Sequence, residues 1–352
     1  MIGLALEGGG TRGSYQAGAY IALKECGIKI DGVCGTSIGA LNGAFIASQK
    51  GSELPRIWRN SNIGALFGFS KEYVECVEAG KINLKYFKSS ILNILNIIIN
   101  KGIELDGLKK LLDQELNVDE LMKSPIDFGL VTVRLKDLKP ICLFKKDMEK
   151  DLIKDYIIAS SFLPVFKMEK LIDDNYYLDG GFYDVSPVNM LLEHGYKKVY
   201  LIKNYGIGLH RKYKEDADVI VIEPKRSLGN VLDIDAKRIE ENIQMGYYDT
   251  LKVIKNLDGL DFVFKVKKES FYKRLNRKIP KYEYRRLKHF LNAKTEKETV
   301  IKALEYIMKK EHFTYYKIYN INKVIKKIKK LKKSAKGGRR RAGNPARRRH
   351  IS

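Results

Sequence analysis

An apolar run at Ile2–Leu6 breaks into glycine at Gly8, a pattern that predicts a buried strand running into a turn. The stretch GSYQAGAYIALKEC that follows reads as a helix ended by Gly27. KIDGVCGT predicts a second strand, and IGALNGAFIASQK a second helix whose Ala40, Gly43, Ala44 and Ala47 are small enough to approach a sheet closely. Further strands are expected at residues 129–134, 140–144, 198–203 and 218–223, with helical patterns between them. Strands alternating with helices predict an α/β sheet covered on both faces.

From about Asp258 the pattern changes to Lys- and Tyr-rich helices. In the last of them Ile318, Ile321, Ile325 and Ile328 repeat at helical spacing with lysines around the rest, a basic amphipathic helix. Two readings are open: a helix docked on the core with a solvated lysine face, or one lying on a membrane surface. In the segment at residues 87–105, FKSSILNILNIIINKGIEL, the most apolar run is Ile91–Ile99, which is interrupted by Asn93 and Asn96 and is far too short to span a bilayer. The segment reads as a core helix or as a lid near a site.

The formal charge of +24 looks at first like the mark of a nucleic-acid or membrane binder. Residues 312–352 alone hold 15 Lys or Arg and no Asp or Glu, which leaves the rest with 51 bases against 42 acids. Six of the 17 arginines fall in the last 14 residues, so this end reads as a disordered or artificially appended tail, and no function is taken from it. Cys26, Cys34, Cys76 and Cys142 form no C-x-x-C pair, so neither a zinc knuckle nor a redox motif is suggested. No signal-peptide pattern opens the sequence, and a cytoplasmic protein is expected, with peripheral membrane attachment through the basic helix as the open variant. The expected organisation is a catalytic domain over 1–258, a helical extension over 259–333 and a tail over 334–352.

Gly8, Gly10 and Gly13 satisfy G-x-G-x-x-G between a strand and a helix, with Asp31 near where a ribose-binding acid would stand. Such a loop offers backbone N–H groups to any anion, a pyrophosphate or a developing oxyanion alike. VCGTSIGALNG then places Gly35, Ser37 and Gly39 in G-x-S-x-G at a strand-to-helix junction, the context a nucleophile elbow requires. The plainer reading of Ser37 is a helix N-cap. A serine needs a base, and the order Ser37, Asp179, then His194 or His210 is that of the α/β hydrolases. Asp179 itself leads an Asp-Gly-Gly that is equally a common turn.

Taken together, GGGTRG at 8–13, GTSIG at 35–39 and DGG at 179–181 resemble the patatin-like phospholipases, in order and in spacing. ASSFLPVFK at 159–167 and VSPV at 185–188 extend the resemblance, which covers about residues 1–258. It implies a three-layer fold with a mainly parallel central sheet, to which the sequence pattern beyond Asp258 adds a helical basic extension that has no counterpart in the resemblance. It also implies a Ser-Asp dyad, Ser37 as nucleophile and Asp179 as base, without a histidine. The oxyanion would be held by Gly8, Gly9 and Gly10 with help from Arg12, and Gly13, Gly35, Gly39, Gly180 and Gly181 would be the motif glycines. The expected activity is hydrolysis of phospholipid or related acyl esters through an acyl-enzyme. Neither metal nor cofactor is implied, and no specific nucleic acid is expected as a partner. Open alternatives are an esterase with a histidine triad and a dinucleotide binder using Gly8, Gly10, Gly13 and Asp31.

Overall fold

The computed structural model describes residues 1–61, 63–66, 105–163 and 166–341, with side chains except at 63, 65 and 334–341. Most of the apolar 87–105 segment, Cys76 and residues 342–352 of the Arg-rich tail lie outside the described residues. The chain forms two compact units, Met1–Leu251 and Lys252–Ser352.

The first unit is built on a sheet of β1 (Ile2–Leu6), β2 (Gly32–Thr36), β3 (Asp127–Arg134), β4 (Lys139–Phe144), β5 (Tyr177–Asp179), β6 (Lys198–Ile202) and β7 (Asp218–Ile222). The strand order is β4-β3-β2-β1-β6-β7, with β5 paired to β3. β1, β2, β3, β6 and β7 run parallel, while β4 and β5 run antiparallel to β3. β1, β2 and β3 are almost wholly buried, which is why they read as near-continuous apolar runs.

The helices of this unit are α1 (Ser14–Glu25), α2 (Ile38–Ala47), α3 (Leu54–Asn60), α4 (Ile63–Leu66), α5 (Asp106–Glu115), α6 (Val118–Lys123), α7 (Ile153–Ser160), α8 (Val188–Glu193) and all but the last three residues of α9 (Ala236–Ile254). Side chains alternate across the sheet, so both faces need cover. On one face Ala5, Cys34, Val131, Val199 and Leu201 pack with Val188 and Leu191 of α8. On the other, Gly43 of α2 lies against Leu6, Val33 and Phe128, where its lack of a side chain admits the helix closely. The expected helix–sheet–helix layering is thus present, with the sheet mostly parallel.

In the second unit β8 (Val263–Phe264) pairs with β9 (Ile318–Tyr319) beside α10 (Glu269–Asn276), α11 (Lys281–Phe290), α12 (Glu296–Lys310) and α13 (Ile321–Arg341). Phe262, Phe264, Tyr272 and Met308 form its core. Ile321, Val324 and Ile328 of α13 are buried in that core. The apolar stripe of the basic helix is therefore spent on packing, and its lysines face outward. Among the described residues no helix is long and apolar enough to cross a membrane.

Candidate active site

All three sequence motifs lie at one end of the sheet, and β3 acts as the ruler that aligns two of them. Thr36, the last residue of β2, pairs with Val131; the next residue of β3, Thr132, pairs with Asp179 at the end of β5. β2 and β5 therefore meet end to end along one edge of β3. Ser37 steps off the first and Asp179 ends the second.

Ser37 has φ 57° and ψ −128°, a conformation that non-glycine residues seldom adopt. It is held there from outside the turn. Its N–H donates to Ser160 Oγ at 3.0 Å, and the Ser160 hydroxyl donates in turn to the Val131 carbonyl at 2.7 Å. The flanking glycines answer a steric demand: a Cβ on Gly39 would lie 2.3 Å from the Leu6 carbonyl oxygen, and one on Gly35 2.1 Å from that of Gly39. Strand and helix backbones approach too closely for any side chain, as a nucleophile elbow requires.

Asp179 is 4% exposed, and its N–H donates to the Phe162 carbonyl at 2.7 Å. Its Oδ1 accepts the Gly181 N–H at 2.7 Å, whereas Oδ2 is buried with no hydrogen-bond partner among the described residues. Burial pushes the carboxyl up to about 6, offset in part by the nearby Ser37 hydroxyl and the Gly181 N–H. The Ser37 hydroxyl is near enough to stabilise the carboxylate, although no described residue completes a hydrogen bond to Oδ2. The Asp-Gly-Gly is not a two-residue hairpin: Gly180–Phe182 forms a short 3-10 turn. A Cβ on Gly180 would meet the Val131 carbonyl oxygen at 2.1 Å.

The glycine loop follows β1. Gly8 packs against Ser37, and its N–H is already donated to the Val185 carbonyl at 3.0 Å. Gly10, at φ +58°, sits where a Cβ would be 2.1 Å from the Val231 carbonyl oxygen, and the Thr11 N–H donates to that same oxygen at 2.9 Å. Among the described residues the N–H groups of Gly9 and Gly10 donate to no acceptor. Gly13 packs against Ile38 and Trp58. Arg12 turns away to hold neighbouring loops, donating from Nη1 to the Tyr205 carbonyl at 2.6 Å and from Nε to that of Gly229 at 3.0 Å. Burial lowers its pKa, with Glu7 acting in the opposite direction.

Gly8, Gly9, Gly10, Ser37 and Asp179 all open onto one cavity of about 260 Å³. The rest of its wall is largely apolar, with Leu41, Leu66, Leu105, Leu108 and Phe166 among the contributors. The arrangement joins a hydroxyl, a raised carboxyl and two N–H donors at the mouth of an apolar hollow, which suits attack on an ester carrying a hydrocarbon chain.

Neither histidine of this unit shares that cavity. His194 stacks on Phe144 at 3.9 Å and sits 3.4 Å from Asp127, which opens β3 at the far end of the sheet. His210 is half exposed, with Nδ1 3.7 Å from Glu7 Oε1. Asp31 is also at the far end: it precedes β2, and its carboxylate accepts the Ile2 N–H at 2.6 Å. A ribose-binding acid would have to stand at the glycine-loop end instead.

Two functional positions escape the motif reading. One is Ser160, found inside ASSFLPVFK but without a role evident there. The other is Glu7, fully buried, whose carboxylate accepts the N–H groups of Asn204 and Tyr205 and the hydroxyl of Ser186 at 3.0 Å. It ties residues 204–205 and 186 to the glycine loop. A glutamate directly before three glycines was the available signal.

A model of the patatin-like phospholipase family matches residues 4–192 of this chain. Among curated proteins the chain is similar to Lysophospholipase NTE1 of Mycosarcoma maydis, with 29% identity over 203 residues, 57% of this chain and 9% of that one. It is also similar to patatin-like phospholipase domain-containing protein 7 of Mus musculus, with 48% identity over 56 residues, 16% of this chain and 4% of the other. The matches thus span less than a tenth of the length of these relatives. Among solved structures, VipD from Legionella pneumophila aligns over 94% of this chain and 79% of its own, with 14% identity and a TM-score of 0.47.

Proposed function

Because the chain belongs to the patatin-like phospholipase family, we propose that it is a lipid acyl hydrolase working through Ser37 and Asp179. Asp179 takes the Ser37 proton as Oγ attacks the acyl carbonyl, and the negative charge that develops on the carbonyl oxygen falls to the N–H groups of Gly9 and Gly10. As the carbon–oxygen bond to the alcohol breaks, Asp179 returns the proton to that leaving oxygen. The acyl-serine is then hydrolysed by a water deprotonated by Asp179, releasing a fatty acid and regenerating the hydroxyl. A loss of about 3 kcal/mol of transition-state stabilisation per removed donor is the usual scale for such a loop.

What carries this reading is the register on β3, which sets the end of β2 against the end of β5 at an apolar cavity. A buried carboxylate beside the Ser37 hydroxyl, with a pKa raised by burial, suits a base that works without an orienting imidazole. Gly8 has a supporting part, since its N–H is occupied by Val185. Arg12 serves the loop geometry. The substrate class is an acyl ester of a phospholipid or lysophospholipid, in keeping with the names of the relatives. The lysine face of α13 is the proposed contact with a lipid surface.

Fluorophosphonate labelling together with fatty-acid release from phospholipid tests the reading. Ser37→Ala loses both label and turnover, Asp179→Asn loses turnover, and His194→Ala and His210→Ala keep it. Loss of turnover in His210→Ala with retention in Asp179→Asn would replace the dyad by a histidine-based mechanism.

A further inference from the structure

The basic charge is confined to one of the two compact units. Residues 1–251 carry 33 Lys or Arg against 34 Asp or Glu, whereas residues 252–333 carry 26 against eight. So steep a difference over some eighty residues is not required by packing, since the core of the second unit is built from aromatic and aliphatic side chains.

Within that unit α11 is unusual. None of its ten residues is buried. Its sequence, KYEYRRLKHF, has four Lys or Arg and a single acid, Glu283. Tyr282 is 69% exposed and Phe290 67%, neither of them in the core cluster. Tyr282, Arg286 and Phe290 follow one another at i, i+4 and i+8, along one stripe of the helix. The Arg286 guanidinium lies 5.6 Å from the Tyr282 ring, and the Phe290 ring meets Tyr306 of α12 edge-on at 5.7 Å. Lys310 covers the same Tyr306 at 4.6 Å. Aromatic rings and cations thus alternate on one exposed surface.

We infer that α11, with Tyr306 and Lys310, is an interfacial anchor for an anionic lipid bilayer. Tyrosine and phenylalanine rings are favourable at the boundary between head groups and acyl chains, where an apolar body and a polar edge are both satisfied. The flanking Arg and Lys then face the phosphates, drawn by the surface potential of acidic lipids. This surface lies on α11 and α12, apart from the lysine face of α13, and it supplies the apolar contact that α13 has committed to its own core. Exposed rings beside arginine also stack on unpaired bases; the choice of a bilayer rests on the lipid-hydrolase reading above.

The test uses the full chain and sedimentation with vesicles of phosphatidylcholine, alone or mixed with phosphatidylserine. Binding is expected to the mixed vesicles, weakening as salt is raised. Tyr282→Ala/Phe290→Ala should lower it roughly tenfold or more while leaving hydrolysis of a water-soluble ester unchanged. Phe290→Trp gives an independent readout, because the only native tryptophan, Trp58, is buried: the emission of the introduced indole should shift to the blue with mixed vesicles. Equal binding to neutral vesicles, unchanged binding by the double variant, an unshifted emission from the Phe290→Trp variant, or preference for single-stranded RNA over mixed vesicles at the same salt would each overturn the anchor. Vesicle binding without any lipid hydrolysis would leave the anchor standing and remove the catalytic reading; hydrolysis without vesicle binding would do the reverse.

Discussion

The Ser160 hydroxyl accepts the N–H of Ser37 at 3.0 Å, and through its own bond to Val131 fixes the elbow to β3. A backbone held at positive φ stays there only when its surroundings over-determine it. Ser160 is fully buried, so no water replaces it.

Ser160→Ala is accordingly expected to lower kcat by about tenfold or more with little change in KM, because Oγ loses its aim while the cavity is untouched. Stability should fall by about 1–3 kcal/mol, the cost of leaving the Ser37 N–H and the Val131 carbonyl without a partner. Single-turnover kinetics and thermal unfolding measure the two effects. Unaltered kcat would show that the elbow holds its own geometry.

The base must be ionised to accept a proton, and Asp179 is pushed up to about 6. The pH profile of kcat/KM should therefore rise with pH and level off above an apparent value near 6. A profile that is flat down to the ordinary carboxylate range would exclude Asp179 as the group observed.

The same shift predicts a trade between stability and activity. With its folded pKa above the unfolded value, Asp179 favours the native state when protonated, and that contribution is lost as pH rises through about 6. At pH 7 the ionised carboxylate costs on the order of 3 kcal/mol relative to a neutral one. Asp179→Asn should thus be inactive yet melt several degrees higher at neutral pH, and the gain should vanish near pH 4. Calorimetry at the two pH values decides it.

Gly10→Ala combines two faults, a φ of +58° and a Cβ 2.1 Å from the Val231 carbonyl oxygen. The loop must move, so fatty-acid release should drop by about a hundredfold or more as the N–H donors leave the reacting oxygen. Fluorophosphonate labelling reports the same defect as a slower rate. Labelling at the wild-type rate would show that Gly10 does not hold the oxyanion.

Much of this architecture was legible in local pattern. Six strands of the first unit, β1 to β4, β6 and β7, and its first two helices followed from apolar periodicity, because each buried strand and each helix face records its surroundings in its own residues. Ser37 was recognisable because the elbow demands small residues two positions to either side, a constraint that is local by nature. Asp179 was not recognisable from its own turn, since an Asp-Gly-Gly looks the same in a hairpin turn and beside a serine; it was named only through the three motifs taken together. The stripe of α13 fitted a docked helix and a membrane-bound one equally, until Ile321, Val324 and Ile328 were found inside the second unit's core.

The sequence by itself determined the alternation of strands and helices, the three glycine-marked turns and the location of the excess charge. The tertiary structure decided which turns meet. Hydrophobic periodicity is a property of neighbouring residues, whereas register is set by backbone hydrogen bonds between strands far apart in the chain. That β2 and β5 share one edge of β3, so that Thr36 and Asp179 pair with consecutive residues, is written in no single segment.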